Sequence, residues 1–340
     1  MLAKGGCELS MITGGIVLMT DLSSTEGSRA HLAAAVELLT GARPMLIDAR
    51  HFMTGGSGKA TVARGKLTMQ VSAEEPIVAP AVVLIYEIPP AQRRQFEAFQ
   101  RTLQQSTVVC LGTDVDGWRN ATEKNRTVQT FLRDGIPHMA TISLCRPSDQ
   151  AAVDAFERLG GDVWARPAIG LGGNDVFHIT TYEQLREAAS HYARVGMDWL
   201  VARDALNFDR EGRRHQFRVV VLHDQVLRVC EHVQTNPDAP CNETRGAVST
   251  VLPIEEVPHG VLQLAAAACG SLGLPFGGVD LAIEGGGVVF EVNVHPVIAE
   301  DRGFETVAIP YVESHLRAPL SGLEVPSPPP NPGDASVTSA

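Results

Sequence analysis

Short apolar runs alternate with stretches of helical periodicity along most of this 340-residue chain. Residues 15–20 (GIVLMT), 44–48 (PMLID), 82–86 (VVLIY) and 108–111 are apolar runs of strand length. Between them, residues 28–39 carry Leu32, Ala35, Val36 and Leu39 on one helical side, and residues 96–103 predict a second helix. Strands alternating with helices predict a parallel, Rossmann-like α/β unit ending near Trp118.

A helix follows with Val128, Phe131 and Leu132 as its apolar side, capped by Asn120 or Thr122 and stopped by Gly135 before Pro137. Residues 151–159 read as a helix. Residues 163–168, the glycine loop 170–173, residues 175–179, helix 182–192 and strand 199–202 form a compact run. Residues 217–222 and 225–230 read as an antiparallel pair turned at His223-Asp224, and helix 261–272 follows a polar loop at 236–245.

The stretch 277–296 (GGVDLAIEGGGVVFEVNVHP) reads as two strands about a triple glycine. Val279, Leu281 and Ile283 alternate before the turn, and Val288, Phe290 and Val292 after it. Asp280, Glu291 and Asn293 take the opposite parity, so pairing would gather two carboxylates and an amide on one face. These are hard oxygen donors suited to Mg²⁺ bound together with phosphates, or, on the bland reading, the solvated face of a hairpin.

Composition narrows the setting. With 44% hydrophobic and 20% charged residues the chain is globular with a sizeable core. A net charge of −11 argues against binding to nucleic acid or an anionic membrane surface. Six cysteines without a CxxC pair suit a reducing compartment. No apolar run reaches membrane-span length and residues 1–10 lack a signal-peptide pattern, so the expected location is cytoplasmic. The run Gly55-Gly56-Ser57-Gly58-Lys59-Ala60 lacks the P-loop's first glycine (Met53) and its Ser/Thr (Ala60), and reads as a flexible glycine loop. No GxGxxG follows the 15–20 strand, which disfavours a Rossmann dehydrogenase.

Four segments in order resemble the ATP-grasp superfamily, most closely its RimK-like amino-acid and peptide ligases. They are Asn120–Lys124 with residues 131–137, Arg166-Pro167 with the Gly170–Gly173 loop, Arg218 with Asn242 and Arg245-Gly246, and Gly278-Val279-Asp280 with Glu291-Val292-Asn293. The resemblance implies an ATP-grasp fold over residues 118–320 with a lid at about 160–205, an N-terminal Rossmann-like domain at 1–117, and a disordered Pro-rich tail at 321–340. It implies a carboxylate–amine ligase that uses ATP and Mg²⁺ (or Mn²⁺) through an acyl phosphate. Asp280, Glu291 and Asn293 would hold the metal, and Lys124, Arg166 and the backbone of Gly170, Gly172 and Gly173 would bind phosphate. Arg218 and Arg245 would stabilise the reacting centre, Asn242 would assist nucleotide binding, and Ala202-Arg203-Asp204 would form the adenine hinge.

The chain departs from the family where Arg166 replaces the usual lid lysine, at the hinge, and at Gln216, where an acid is common. Asp204 and Asp209 are the substitute ribose contacts. Expected partners are small-molecule or peptide carboxylates and amines, or a carrier protein met by the basic cluster Arg210, Arg213 and Arg214, with a homodimer as default state. His178, Trp199 and His295 read as packing residues. The alternatives are a non-catalytic nucleotide-binding sensor and a small-metabolite kinase on the same scaffold.

Overall fold

The computed structural model describes residues 11–298 and 303–321. The expected leader at 1–10 lies outside the described residues. So does the expected disordered tail, apart from Ser321 at the end of the last helix.

The chain opens with β1 (Met11–Thr13), β2 (Ile16–Thr20), α1 (Ser28–Thr40) and β3 (Met45–Asp48). It continues through β4 (Lys59–Ala63), β5 (Lys66–Gln70), β6 (Ile77–Ala79), β7 (Val82–Ile85) and α2 (Arg93–Gln104). Strands β3-β2-β7 form the expected parallel sheet, with the apolar runs of β2 and β7 buried and β3 at the edge leaving Leu46 exposed. Two expectations fail in this region. Residues 108–111 form no strand; Val109 makes only an isolated bridge to Val82. The glycine loop is not a free loop either, since it leads at Lys59 into a second sheet, β1-β6-β5-β4. A Cβ on Gly56 would lie 2.3 Å from the His51 carbonyl oxygen, so the glycines there serve close packing.

Next come α3 (Val115–Thr122) and α4 (Lys124–Asp134). The expected single helix is broken at Glu123, so neither Asn120 nor Thr122 is a cap; Asp114 caps α3. Glu123 is buried and held by Arg94 and Arg119, which fixes the break. β8 (Thr141–Leu144), α5 (Asp149–Arg158), β9 (Val163–Pro167), β10 (Phe177–Ile179), α6 (Tyr182–Val195) and β11 (Trp199–Arg203) build an antiparallel sheet ordered β10-β9-β11-β8. This layer has its own core around Phe156, Leu185, Tyr192 and Trp199. It takes in β8 and α5, ahead of the 160–205 stretch expected for the lid.

The last unit is a five-stranded antiparallel sheet ordered β14-β13-β12-β15-β16. Its strands are β12 (Arg214–Leu222), β13 (Gln225–Gln234), β14 (Val248–Leu252), β15 (Phe276–Ala282) and β16 (Val288–Asn293), with α7 (His259–Leu272) preceding β15. One face buries Phe217, Val219, Val221, Val279 and Leu281 against α7. The other face is apolar at one end, where Val220, Leu222 and Phe276 meet the N-terminal sheet, α1 and α8 (Ile309–Ser321). At its other end it turns polar. No helix among the described residues is long and apolar enough to cross a membrane.

Candidate active site

Strand alternation puts Gln216 and Arg218 of β12 on the polar face, and antiparallel register extends that face sideways. Arg218 lies opposite Asp280 and Cys230, Gln216 opposite His232, Asp280 opposite Glu291, and Gly278 opposite Asn293. A bulge between Asp280 and Leu281 shifts the register, so Val289 pairs with Leu281 and enters the core. The simple alternation expected after the triple glycine is therefore wrong at Phe290, which is only partly buried beside Glu291. Ile283 likewise falls beyond β15 and is exposed.

Six of the expected site residues converge here. Arg218 donates from Nε and a terminal nitrogen to the two oxygens of Asp280, both at 2.7 Å. Asn293 Nδ2 donates to Asp280 Oδ2 at 3.2 Å. Lys124 Nζ, in the first turn of α4, lies 3.3 Å from Glu291 Oε2. Arg166 of β9 reaches across from the β10-β9-β11-β8 sheet to the carbonyl oxygen of Phe290 at 3.1 Å, and its buried Nε has no partner.

The electrostatics follow from burial and these pairings. Asp280 is 2% exposed, so its charge depends on Arg218. Burial lowers the affinity of the Arg218 guanidinium for its proton, but Asp280 outweighs that and the net shift is upward. Burial raises the Glu291 carboxyl, yet Lys124, Arg166 and Arg218 together hold it below its ordinary value. Burial shifts Arg166 downward against the opposing pull of Glu291 and Asp280.

The Gly170–Gly173 loop packs against the 236–246 loop. Gly172 and Gly173 have φ of +68° and +69°, a conformation that glycine adopts without strain. Thr244 Oγ1 donates to the Gly172 carbonyl at 3.1 Å, and Arg245 donates to Asn174 Oδ1 at 2.8 Å. Arg245 packs beside Gly173, so the structure groups it with the lid loop and not with the Arg218–Asp280 pair. Asn242 spends its side-chain oxygen on Thr244, as the cap of the short turn before Gly246. A Cβ on Gly170 would lie 2.6 Å from the Pro167 ring.

At the hinge, Ala202 joins Met139, Ala205 and Ala282, with Val288 and Phe290, in an apolar cluster between the lid sheet and the five-stranded sheet. Arg203 is ion-paired to Glu284 at 2.5 Å. Asp204 accepts two bonds from Arg214 at 2.6 and 2.8 Å, one from Trp164 Nε1 at 2.6 Å and one from the Ala205 amide at 2.9 Å. Asp209 is committed to Arg213 and His215. Both acids already accept bonds from the protein's own side chains. The basic cluster dissolves for the same reason. Arg214 is 4% exposed, and Arg213 is tied to Asp209 and Glu211.

Trp199 packs as expected, stacked on Tyr192. His178 does more than pack. It bridges Asp162 and Asp238 at 2.7 Å each, linking the lid sheet to the 236–246 loop. His295 is wedged between the Tyr86 and Trp118 rings, and burial, aided by Arg93, holds it well below its ordinary pKa.

Two features escape the sequence reading. The first is His232, buried on the polar face; a register shift between Val220 and Val221 puts it opposite Gln216, against the parity counted from the His223-Asp224 turn. The second is Glu26, in the field of Glu87, Arg93 and Arg218. Burial, reinforced by Glu87, raises its carboxyl to about 6 against the opposing Ser28 hydrogen bond. No sequence signal marks it, since the effect comes from residues distant in the chain. A raised carboxyl pKa makes ionisation costly in the folded state. Glu26 therefore stabilises the fold most below pH 4.5 and progressively less as pH rises through about 6. Glu26→Gln is expected to be more stable than the native chain above pH 6 by roughly 2 kcal/mol, at about 1.4 kcal/mol per pKa unit. The gap should vanish below pH 4.5. Thermal unfolding across this range checks it, and a pH-independent difference would contradict it.

No protein-family model matches the chain, and no curated protein does. Solved structures do. D-alanyl-alanine synthetase A from Vibrio cholerae O1 biovar eltor superposes with a TM-score of 0.66 at 15% identity, over 91% of this chain and 98% of that one. D-cycloserine synthetase DcsG gives 0.62 at 19%, over 90% and 99%. The ATP-grasp ligase PsnB, solved with its minimal precursor, Mg and ADP, gives 0.61 at 13%, over 88% and 97%. At such identities the likeness is one of fold, and it extends over nearly the whole of each partner. The chain has the mixed α/β fold of the ATP-grasp ligases.

Proposed function

We propose that the protein is an ATP-dependent carboxylate–amine ligase of RimK-like type, which forms an amide through an acyl phosphate. The observation that carries this reading is the placement of Asp280, Glu291 and Asn293 on paired strands of one sheet face, with Arg218 bonded to Asp280 and Lys124 paired to Glu291. In PsnB the same fold holds ADP, Mg and a peptide. We take residues 1–117 as the N-terminal α/β domain and 118–320 as the nucleotide-binding unit, with the sheet containing β9 and β11 as its lid.

Phosphoryl transfer is driven by positioning and charge neutralisation. Adenine would enter the apolar cluster of Met139, Ala202 and Phe290, and the triphosphate would run toward Lys124, Arg166 and the Gly170–Gly173 amides. Three cations (Lys124, Arg166, Arg218) face two carboxylates (Asp280, Glu291), and a triphosphate carries more negative charge than that surplus offsets.

Asp280, Glu291 and Asn293 fit the cation this implies, because all three offer hard oxygen donors on neighbouring strands. A half-turn of the Asn293 amide, which now presents its nitrogen to Asp280, would present oxygen instead. When bound, Mg²⁺ would neutralise charge on the phosphates. Arg218 then offers two-pronged binding to the acyl phosphate and to the oxyanion formed when an amine attacks. The lid contacts at Gly172, Asn174 and His178 exclude water while the acyl phosphate exists.

The test is a pooled amino-acid and peptide screen with ATP and Mg²⁺, scored for ADP released and for new amides by mass. Matched amounts of both support the ligase. A stable phosphorylated product indifferent to amines would make the protein a kinase, and nucleotide binding without phosphate release would make it a sensor.

A further inference from the structure

His232 lies on the polar face of β13, opposite Gln216 and one pleat from Cys230, which faces Arg218. It is 5% exposed, and neither ring nitrogen has a hydrogen-bond partner. A buried imidazole normally fixes its tautomer through at least one such bond, so this ring is placed for a proton exchange with something other than the protein. The charged groups that act on it are Arg218 from β12, Asp280 from β15 and Glu243 from the turn after Asn242. Burial foremost, then Arg218, holds it below its ordinary pKa against the two acids. It is therefore neutral near pH 7 and free to accept a proton.

We propose that His232 is the proton acceptor for the attacking amine in the second half of the ligase reaction. This inference rests on the ligase reading above. Phosphorylation of the carboxylate moves no proton that needs a base. Amide formation does. The amine nitrogen forms its bond to the acyl carbon, the bond from that carbon to the phosphate oxygen breaks, and the electron pair leaves with phosphate. The surplus proton on nitrogen passes to the free His232 ring nitrogen and then to the departing phosphate. Arg218, one pleat away, cannot perform this task because it remains charged.

The two half-reactions can be separated by nucleophile. Hydroxylamine is uncharged near neutral pH and traps an acyl phosphate as a hydroxamate with little need of a base, whereas an amino acid first loses its ammonium proton to solvent and its more basic nitrogen then keeps the surplus proton until His232 takes it. With a pool of free amino acids and dipeptides as carboxylates, His232→Gln should form hydroxamate within a few-fold of the native rate. It should form amide on the order of 10²- to 10³-fold more slowly, the scale of a lost general base. The residual amide rate should climb with pH as free amine increases. In His232→Ala, added imidazole should restore amide formation.

Native rates of both products in His232→Gln would overturn the inference while leaving the ligase reading intact. So would equal losses of both that imidazole fails to reverse in His232→Ala, since a structural role predicts that pattern. Absence of hydroxamate from the native protein with every carboxylate in the pool would instead overturn the ligase reading, and this inference with it.

Discussion

Asp280→Ala is expected to reduce ATP-dependent phosphate release and amide formation to background. The residue has three tasks at once. It would ligate the cation, it anchors Arg218 through two bonds of 2.7 Å, and it holds the Asn293 amide. Removing it also leaves a guanidinium without its buried partner, a loss of about 3–5 kcal/mol. Against the roughly 5–15 kcal/mol of a typical fold, that lowers the melting temperature without abolishing folding in most cases. Asp280→Asn separates the two effects. It keeps the shape and one acceptor for Arg218 but not the charge, so part of the stability should return and the activity should not. Turnover near the native rate in Asp280→Asn, measured as ADP released at saturating Mg²⁺, would remove Asp280 from the metal site.

Arg218→Lys should lower turnover by about 10²- to 10³-fold, the scale of a lost oxyanion donor. Lysine retains the positive charge that Asp280 requires but cannot span two oxygens of one carboxylate or phosphate. The loss should fall on the rate more than on nucleotide affinity, because Arg218 is bonded to Asp280, whereas the apolar cluster proposed for adenine lies around Met139 and Ala202. Calorimetric ATP affinity should stay within a few-fold of native. Weakened ATP binding with unchanged turnover would place Arg218 on the nucleotide instead.

The residues that sequence pattern located best are those fixed by strand parity. Asp280, Glu291 and Asn293 share a face because strand side chains alternate, and the triple glycine makes the turn that brings them together. Arg218 was legible as a charge inside an apolar run. What parity missed was the bulge that exchanges Val289 for Phe290, since one extra residue in a pairing leaves no mark on either strand's own alternation.

The bonding around Ala202-Arg203-Asp204 was not legible. Asp204 reads as a substitute ribose contact, yet Arg214 lies within its reach once β11 and β12 are in place. The strands at 59–79 went unseen because Gly55–Gly58 dominated the local signal, and their pairing with β1 is distant in the chain. Glu26 and His232 carry no motif at all. Their properties arise from burial, which depends on elements far away in sequence.

The central claim is that ATP activates a carboxylate by forming an acyl phosphate, which an amine then opens. It can be tested most directly with a substrate carboxylate labelled with ¹⁸O in both oxygens. The phosphate released alongside the amide should carry one labelled oxygen for each amide formed, because the bond that breaks lies between the acyl carbon and the bridging oxygen. Unlabelled phosphate accompanying the amide would contradict the account.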